Sequence, residues 1–219
     1  YPTIDAIPRA GRRFMVCPGV SAWNTAFPRI DNALGNIRGY TRAGIAAGAV
    51  GMLNTEWGDY GHYQQPEASL YVYAFGAETA WTGGATEPAE FDRKVGPLLY
   101  GDLSGRVVAA IRRLGKAMLH PAIRAHSRSE AAYAIFDDPL AGRVAEMPAP
   151  VVKELAEAAA EALPVFATLP EDTMRHQLSF AAYQIAFAAD KPVTRKPLLP
   201  LSDDNAKFAG NPAFDPNTT

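Results

Sequence analysis

Two short apolar runs, each cut off by polar and aromatic residues, precede a long stretch of helical periodicity. Phe14-Met15-Val16 after two arginines gives a buried strand over Arg13–Val16, closed by the Pro18-Gly19 turn. Val50–Asn54 gives a second. Between them Leu34, Ile37, Tyr40, Gly44, Ile45 and Gly48 recur at spacings of three or four, which predicts a helix over Asp31–Ala47. Asp31 suits its first turn and Gly48 its stop. A further helix is expected over Ser69–Trp81, ending at Gly83-Gly84. Strand, loop, helix, strand, loop, helix, with the strands about 35 residues apart, is the grammar of a parallel βαβ unit, which takes roughly 30 residues or more.

From about Glu87 the pattern is helical only, with helices predicted over Glu90–Tyr100, Leu103–Met118, Ser129–Phe136, Pro150–Leu163 and Glu171–Ala189. The fourth has proline at its start and an Ala/Glu-rich body, both favourable. Prolines, Asp203-Asp204 and Gly210 break the periodicity from Pro192, so an extended or disordered tail is expected there. The resulting organisation is an α/β portion over 1–86, a helical extension over 87–191 and a tail over 192–219. Two strands cannot bury both faces of a sheet, so earlier strands or an oligomeric partner are needed to complete it. The beginning, Tyr1-Pro2-Thr3 without an initiator Met, reads as a piece of a longer chain.

Parallel strands release their following loops at one end, where α/β proteins keep ligand sites. Trp23 and Asn24 follow the first strand, and Trp57, Asp59 and His62 follow the second, so the five are expected to line one cleft. An indole covers the apolar C–H face of a sugar while a carboxylate accepts from its hydroxyls, which makes carbohydrate the leading ligand class. On an extended segment Trp57 and Asp59, two apart, project the same way. The plainer alternatives are Trp23 packed against the next helix, Asp59 capping a loop and His62 bonding its own backbone. Glu56 points away from Trp57 and is assigned a structural role; Tyr60, Tyr63 and Gln64 are assigned to the rim. Tyr71, Tyr73, Phe75 and Trp81 are assigned to core. His120, His126 and His176 are assigned to the surface or to capping.

Composition narrows the classes. Net charge is -2 with dispersed basic residues, and Arg112-Arg113 with Lys116 fits a solvated helix face, so nothing favours nucleic acid. No stretch approaches the ~18–20 apolar residues of a membrane span. The chain reads as soluble, cytoplasmic or secreted, with compartment left open. One cysteine, Cys17, rules out an internal disulfide framework and a multi-thiolate zinc site, and is expected to be buried and inert. No second histidine stands at ligand spacing from His62, so no metal is expected. No cofactor loop is recognised: neither common phosphate-binding glycine pattern occurs, and Gly19–Trp23 lacks the second glycine of a nucleophile elbow.

Val16-Cys17-Pro18-Gly19-Val20-Ser21-Ala22-Trp23-Asn24, Arg29-Ile30-Asp31-Asn32-Ala33, Asn36-Ile37, Gly48-Ala49-Val50-Gly51 and Leu53-Asn54-Thr55-Glu56-Trp57-Gly58-Asp59-Tyr60-Gly61-His62 resemble the C-terminal part of the barrel in glycoside hydrolase family 20. The nearest likeness is to its β-N-acetylhexosaminidase-like branch, over residues 12–85, with the helical remainder matching more loosely. The resemblance implies the last strands of a (β/α)8 TIM barrel, tryptophans walling a pocket for a terminal N-acetylhexosamine, and Asp59 binding sugar hydroxyls. It also implies substrate-assisted retaining hydrolysis, outside the ordinary two-carboxylate scheme. The family's catalytic Asp-Glu dipeptide occurs nowhere in this chain, so no catalytic residue is carried over. The expectation is a fragment of an exo-acting β-N-acetylhexosaminidase that binds an N-acetylhexosamine-containing glycan and is inactive alone. The alternatives are a non-catalytic carbohydrate-binding or scaffolding protein derived from such a barrel, and a barrel glycosidase of another specificity.

Overall fold

The computed structural model describes residues 3–123, 130–138 and 147–198. Within them the chain forms eight α-helices: α1 (Ala6–Arg9), α2 (Ile30–Ala46), α3 (Pro66–Thr82), α4 (Pro88–Tyr100), α5 (Arg106–Ala117), α6 (Glu130–Phe136), α7 (Ala149–Phe166) and α8 (Thr173–Leu198), with a single 3-10 turn at Asp59–Gly61. The punctuation is local chemistry. Pro66 and Pro88 open α3 and α4, where a missing N–H costs nothing. Gly83 and Gly101 close them in the left-handed conformation, at φ 63 and 61. α8 runs past Pro192 to Leu198, beyond the point at which the sequence loses its periodicity.

One apolar core joins α2 to α8. Val20, Phe27, Ile30 and Ile37 share it with Tyr71 and Phe75 of α3, Ile111 and Leu114 of α5, Leu155 and Phe166 of α7, and Leu178 and Ile185 of α8. Phe91 of α4 meets the rings of Tyr71 and Phe75 edge-on, at centroid distances of 5.4 and 5.2 Å. α7 packs most extensively on α8 and α5. Polar pairs stitch the surface of these contacts. Arg112 reaches Asp31 of α2 at 2.9 Å, and Arg113 reaches Glu154 and Glu161 of α7 at 2.6 and 2.9 Å. The two arginines read as a solvated face are therefore helix–helix ties. Lys191 of α8 donates to the carbonyls of Ile135 and Asp137 at 2.8 and 2.9 Å, holding the end of α6.

The expected α/β architecture is corrected. Among the described residues there is no strand and no sheet, only two isolated parallel bridges, Val16 with Met52 and Gly19 with Thr55. The two extended segments do lie side by side in the expected parallel sense. Val16 N–H donates to the Gly51 carbonyl, Leu53 N–H to Val16, Thr55 N–H to Pro18 and Val20 N–H to Thr55. The next rung in that series would be an N–H from residue 18 to the carbonyl of Leu53, and proline has none. Pro18 thus divides the pairing into two pieces too short to be a strand. With every other element helical, these residues are not part of a TIM barrel.

Two core assignments also change. Tyr71 and Phe75 are fully buried, but Tyr73 is partly exposed and Trp81 is 90% exposed. Cys17, expected inside, is exposed.

Candidate functional site

The paired segments alternate. Val16, Pro18 and Val20 are buried, whereas Met15 and Cys17 face out. On the second segment Met52, Asn54 and Glu56 run along α3. Met52 and Ala80 line one small cavity, the Asn54 amide lies against Gly76, and Glu56 accepts from Ser69 and Tyr73. Leu53 and Trp57 take the opposite, outward side, 56% and 60% exposed. A Cβ on Gly76 would stand 2.4 Å from the Asn54 side-chain nitrogen, so glycine is what lets this segment lie so close to the helix.

Trp23 and Trp57 both stand at the second half of this pairing. The Trp23 ring lies on Gly19, where a Cβ would come within 3.1 Å of its Cζ3 and 3.7 Å of Thr55 Oγ1. The Trp57 Nε1–H donates to that same Thr55 Oγ1 at 3.3 Å. Gly19 and Thr55 are themselves a bridged pair, so both indoles stand beside one floor. The backbone on either side is unusual. Ser21, Asn24 and His62, at φ 58, 50 and 55, are the left-handed non-glycine residues among those described, and all three fall in these two loops. Such outliers need surrounding structure to hold them and concentrate at ligand sites.

The first loop is held by the start of α2. Arg29, 4% exposed, donates from Nη1 to the Trp23 carbonyl at 2.9 Å and to Ser21 at 3.5 Å, and from Nη2 to Asn24 at 3.2 Å. Its guanidinium carbon lies 5.9 Å from the Trp23 ring centroid. Asn32 Nδ2 donates to Ser21 Oγ at 2.8 Å, and Gly19 N–H donates to Asn36 Oδ1 at 3.1 Å. The second loop is held through Glu56. Its Oε1 accepts from Gln64 Nε2 at 2.8 Å and from the Ser69 hydroxyl, and its Oε2 accepts from Tyr73 at 2.8 Å. His62 Nε2 stands 3.8 Å from the same carboxylate. Burial of the Tyr73 hydroxyl, then its bond to Glu56, pushes that phenol above its ordinary range.

The predicted residues divide accordingly. Trp23 and Trp57 are brought to one floor. Asn24 is 2% exposed, its carbonyl bound by Arg29, and it belongs to the frame of the loop. Asp59 is exposed, but it opens the 3-10 turn, so strand alternation does not govern its direction relative to Trp57. His62 is half-buried beside Glu56. Glu56 does point away from Trp57, as alternation requires. Gln64, assigned to the rim, is a buried member of its network, and the Tyr63 ring lies tilted against Phe136 with centroids 4.5 Å apart. His120 and His176 take capping and surface positions; His126 lies outside the described residues. The roles of Arg29 and Gln64 were missed. An arginine between Pro28 and Ile30 carries no signal for burial, since the carbonyls it binds are presented only by the folded loop.

An apolar cavity of about 190 Å³ lies behind the pairing, lined by Val16, Thr41, Ile45, Ala49, Gly51, Met52 and Ala80. None of the five predicted site residues reaches it. Among the described residues no group of three or more His, Cys, Asp or Glu side chains is placed to hold a metal ion, and no helix is long and apolar enough to cross a membrane.

No family model, no curated protein and no solved structure matches this chain. The resemblance to glycoside hydrolase family 20 is corrected on that finding and on the helical fold: short motif likeness around two tryptophan loops does not carry the family.

Proposed function

We propose that this chain binds a saccharide on the ledge formed by Trp23 and Trp57 over Gly19 and Thr55. The observation that carries the reading is that the two indoles lie against one bridged pair, Trp23 on Gly19 and Trp57 on Thr55. Trp57 is largely exposed although its ring nitrogen already has a partner. An exposed indole with its polar atom satisfied offers apolar ring surface, which suits the C–H face of a pyranose. Asp59 on the adjacent turn is the acid available to the sugar's hydroxyls. N-acetylhexosamine is the sugar to test first, and the chain's part is binding.

The test is calorimetric titration with N-acetylglucosamine, run on the wild type, Trp57→Ala and Asp59→Ala. Binding to the wild type is expected, and each variant is expected to weaken it. Loss of a hydrogen bond to a charged acceptor costs about 1.5–3 kcal/mol, roughly tenfold or more in affinity for Asp59→Ala. Equal affinity in all three proteins overturns the reading. Turnover of an aryl N-acetyl-β-hexosaminide by the wild type, lost in the same variants, would instead assign the ledge to an exo-acting hydrolase.

A further inference from the structure

We propose that Arg29 is the positioning residue of the ledge, holding the Trp23 ring in the orientation a ligand stacks on. The inference rests on the saccharide reading for its purpose but not for its geometry. The two Nη atoms of Arg29 donate to the carbonyls of Ser21, Trp23 and Asn24, three of the four residues from 21 to 24. Two of those residues, Ser21 and Asn24, are left-handed without being glycine. The Arg29 backbone N–H adds a further bond to Ser21, at 3.1 Å. A loop bent twice through an unfavourable region presents its carbonyls inward, and one planar fork gathers them.

The same guanidinium lies 5.9 Å from the Trp23 ring centroid. Gly19 supports the ring from another direction, leaving no room for a Cβ unless the ring moves. Trp23 is therefore fixed through its own carbonyl, by the cation near its ring and by the glycine beneath it. Lysine at position 29 keeps the charge but cannot span three carbonyls, because its single ammonium lacks the fork. Arg29→Lys thus separates the geometry from the mere presence of a buried cation.

The experiment uses the chain with Trp57→Phe and Trp81→Phe, so that Trp23 is the single reporter. With Arg29 present, its fluorescence anisotropy decay is expected to lack a fast local component, and acrylamide quenching to be weak. Arg29→Lys, at a melting temperature that shows it folded, is expected to gain local ring motion and at least twofold stronger quenching. In the background that keeps all three tryptophans, the same substitution is expected to lower N-acetylglucosamine affinity fivefold or more. Unchanged ring motion in the folded variant overturns the proposal even if the sugar binds. Restricted motion lost on substitution, with no sugar bound by the wild type, leaves the positioning role standing and removes the saccharide reading. If Arg29→Lys does not fold, the parent decides: a freely rotating Trp23 in the presence of Arg29 overturns the proposal, and a fixed one supports it.

Discussion

Gly115 marks where α5 crosses the start of α2 at backbone distance. A Cβ there would stand 2.2 Å from Ile30 Cγ1 and 3.0 Å from the Pro28 carbonyl oxygen. Ile30 is fully buried, and the Pro28 carbonyl is backbone that cannot turn aside. Gly115→Ala, although better for helix propensity, is expected to destabilise the fold by about 1–3 kcal/mol through overpacking, read as a lower midpoint in thermal unfolding. At this scale the sequence was partly legible. Glu56 and Trp57 part company because adjacent residues of an extended segment face opposite ways, and that needs no tertiary knowledge. The burial of Arg29 does, since its reason is a loop that does not exist until the chain folds. Trp81 shows the converse: its size argues for core, yet it falls at the last turn of α3 on the side where nothing packs.

The helices were the legible elements, because a 3.6-residue period repeats over several turns and is punctuated by Pro66, Pro88, Gly83 and Gly101. The strands were not. Four or five apolar residues cannot say whether a partner segment will run long enough to form a ladder, and Pro18 decides that by omitting one donor. The start of α5 is likewise set by a side chain. Asp102 accepts from Ser104 N–H and from Val107 N–H, both at 2.8 Å, at the helix terminus where backbone donors lack partners. Burial by itself raises this carboxyl, but the Ser104 hydroxyl and the N–H groups of Val107, Ser104 and Gly105 outweigh it and hold it below its ordinary 3.8. A carboxyl lowered by folding stabilises the native state fully above the unfolded value and loses that contribution as pH falls through the folded one. Asp102→Asn is therefore expected to melt lower than wild type at neutral pH. The two melting temperatures should converge below about pH 3; a gap that stays constant on acidification would contradict this account of the cap.

At the scale of the whole molecule, the ledge is anchored on α2 and α3, and these share one core with α5, α7 and α8. The ties across helices could not be read from sequence. Tyr71 donates to Asp92, Arg112 donates to Tyr71 at 3.3 Å and pairs with Asp31, so residues of α2, α3, α4 and α5 meet in one polar knot. Each residue is ordinary on its own helix; only the packing brings them together. The interrupted pairing at Pro18 has a consequence for isotope exchange. Its two pieces are fastened differently: the piece beside the indoles is held from α2 through Asn36 Oδ1, while the Val16–Leu53 piece lies among exposed Met15, Val50 and Leu53. In deuterated buffer the Thr55 and Val20 amides should outlast those of Val16 and Leu53. Local opening costs less where fewer contacts must be broken, so the missing donor at Pro18 lets the outer piece fray while the floor beneath the tryptophans stays shut.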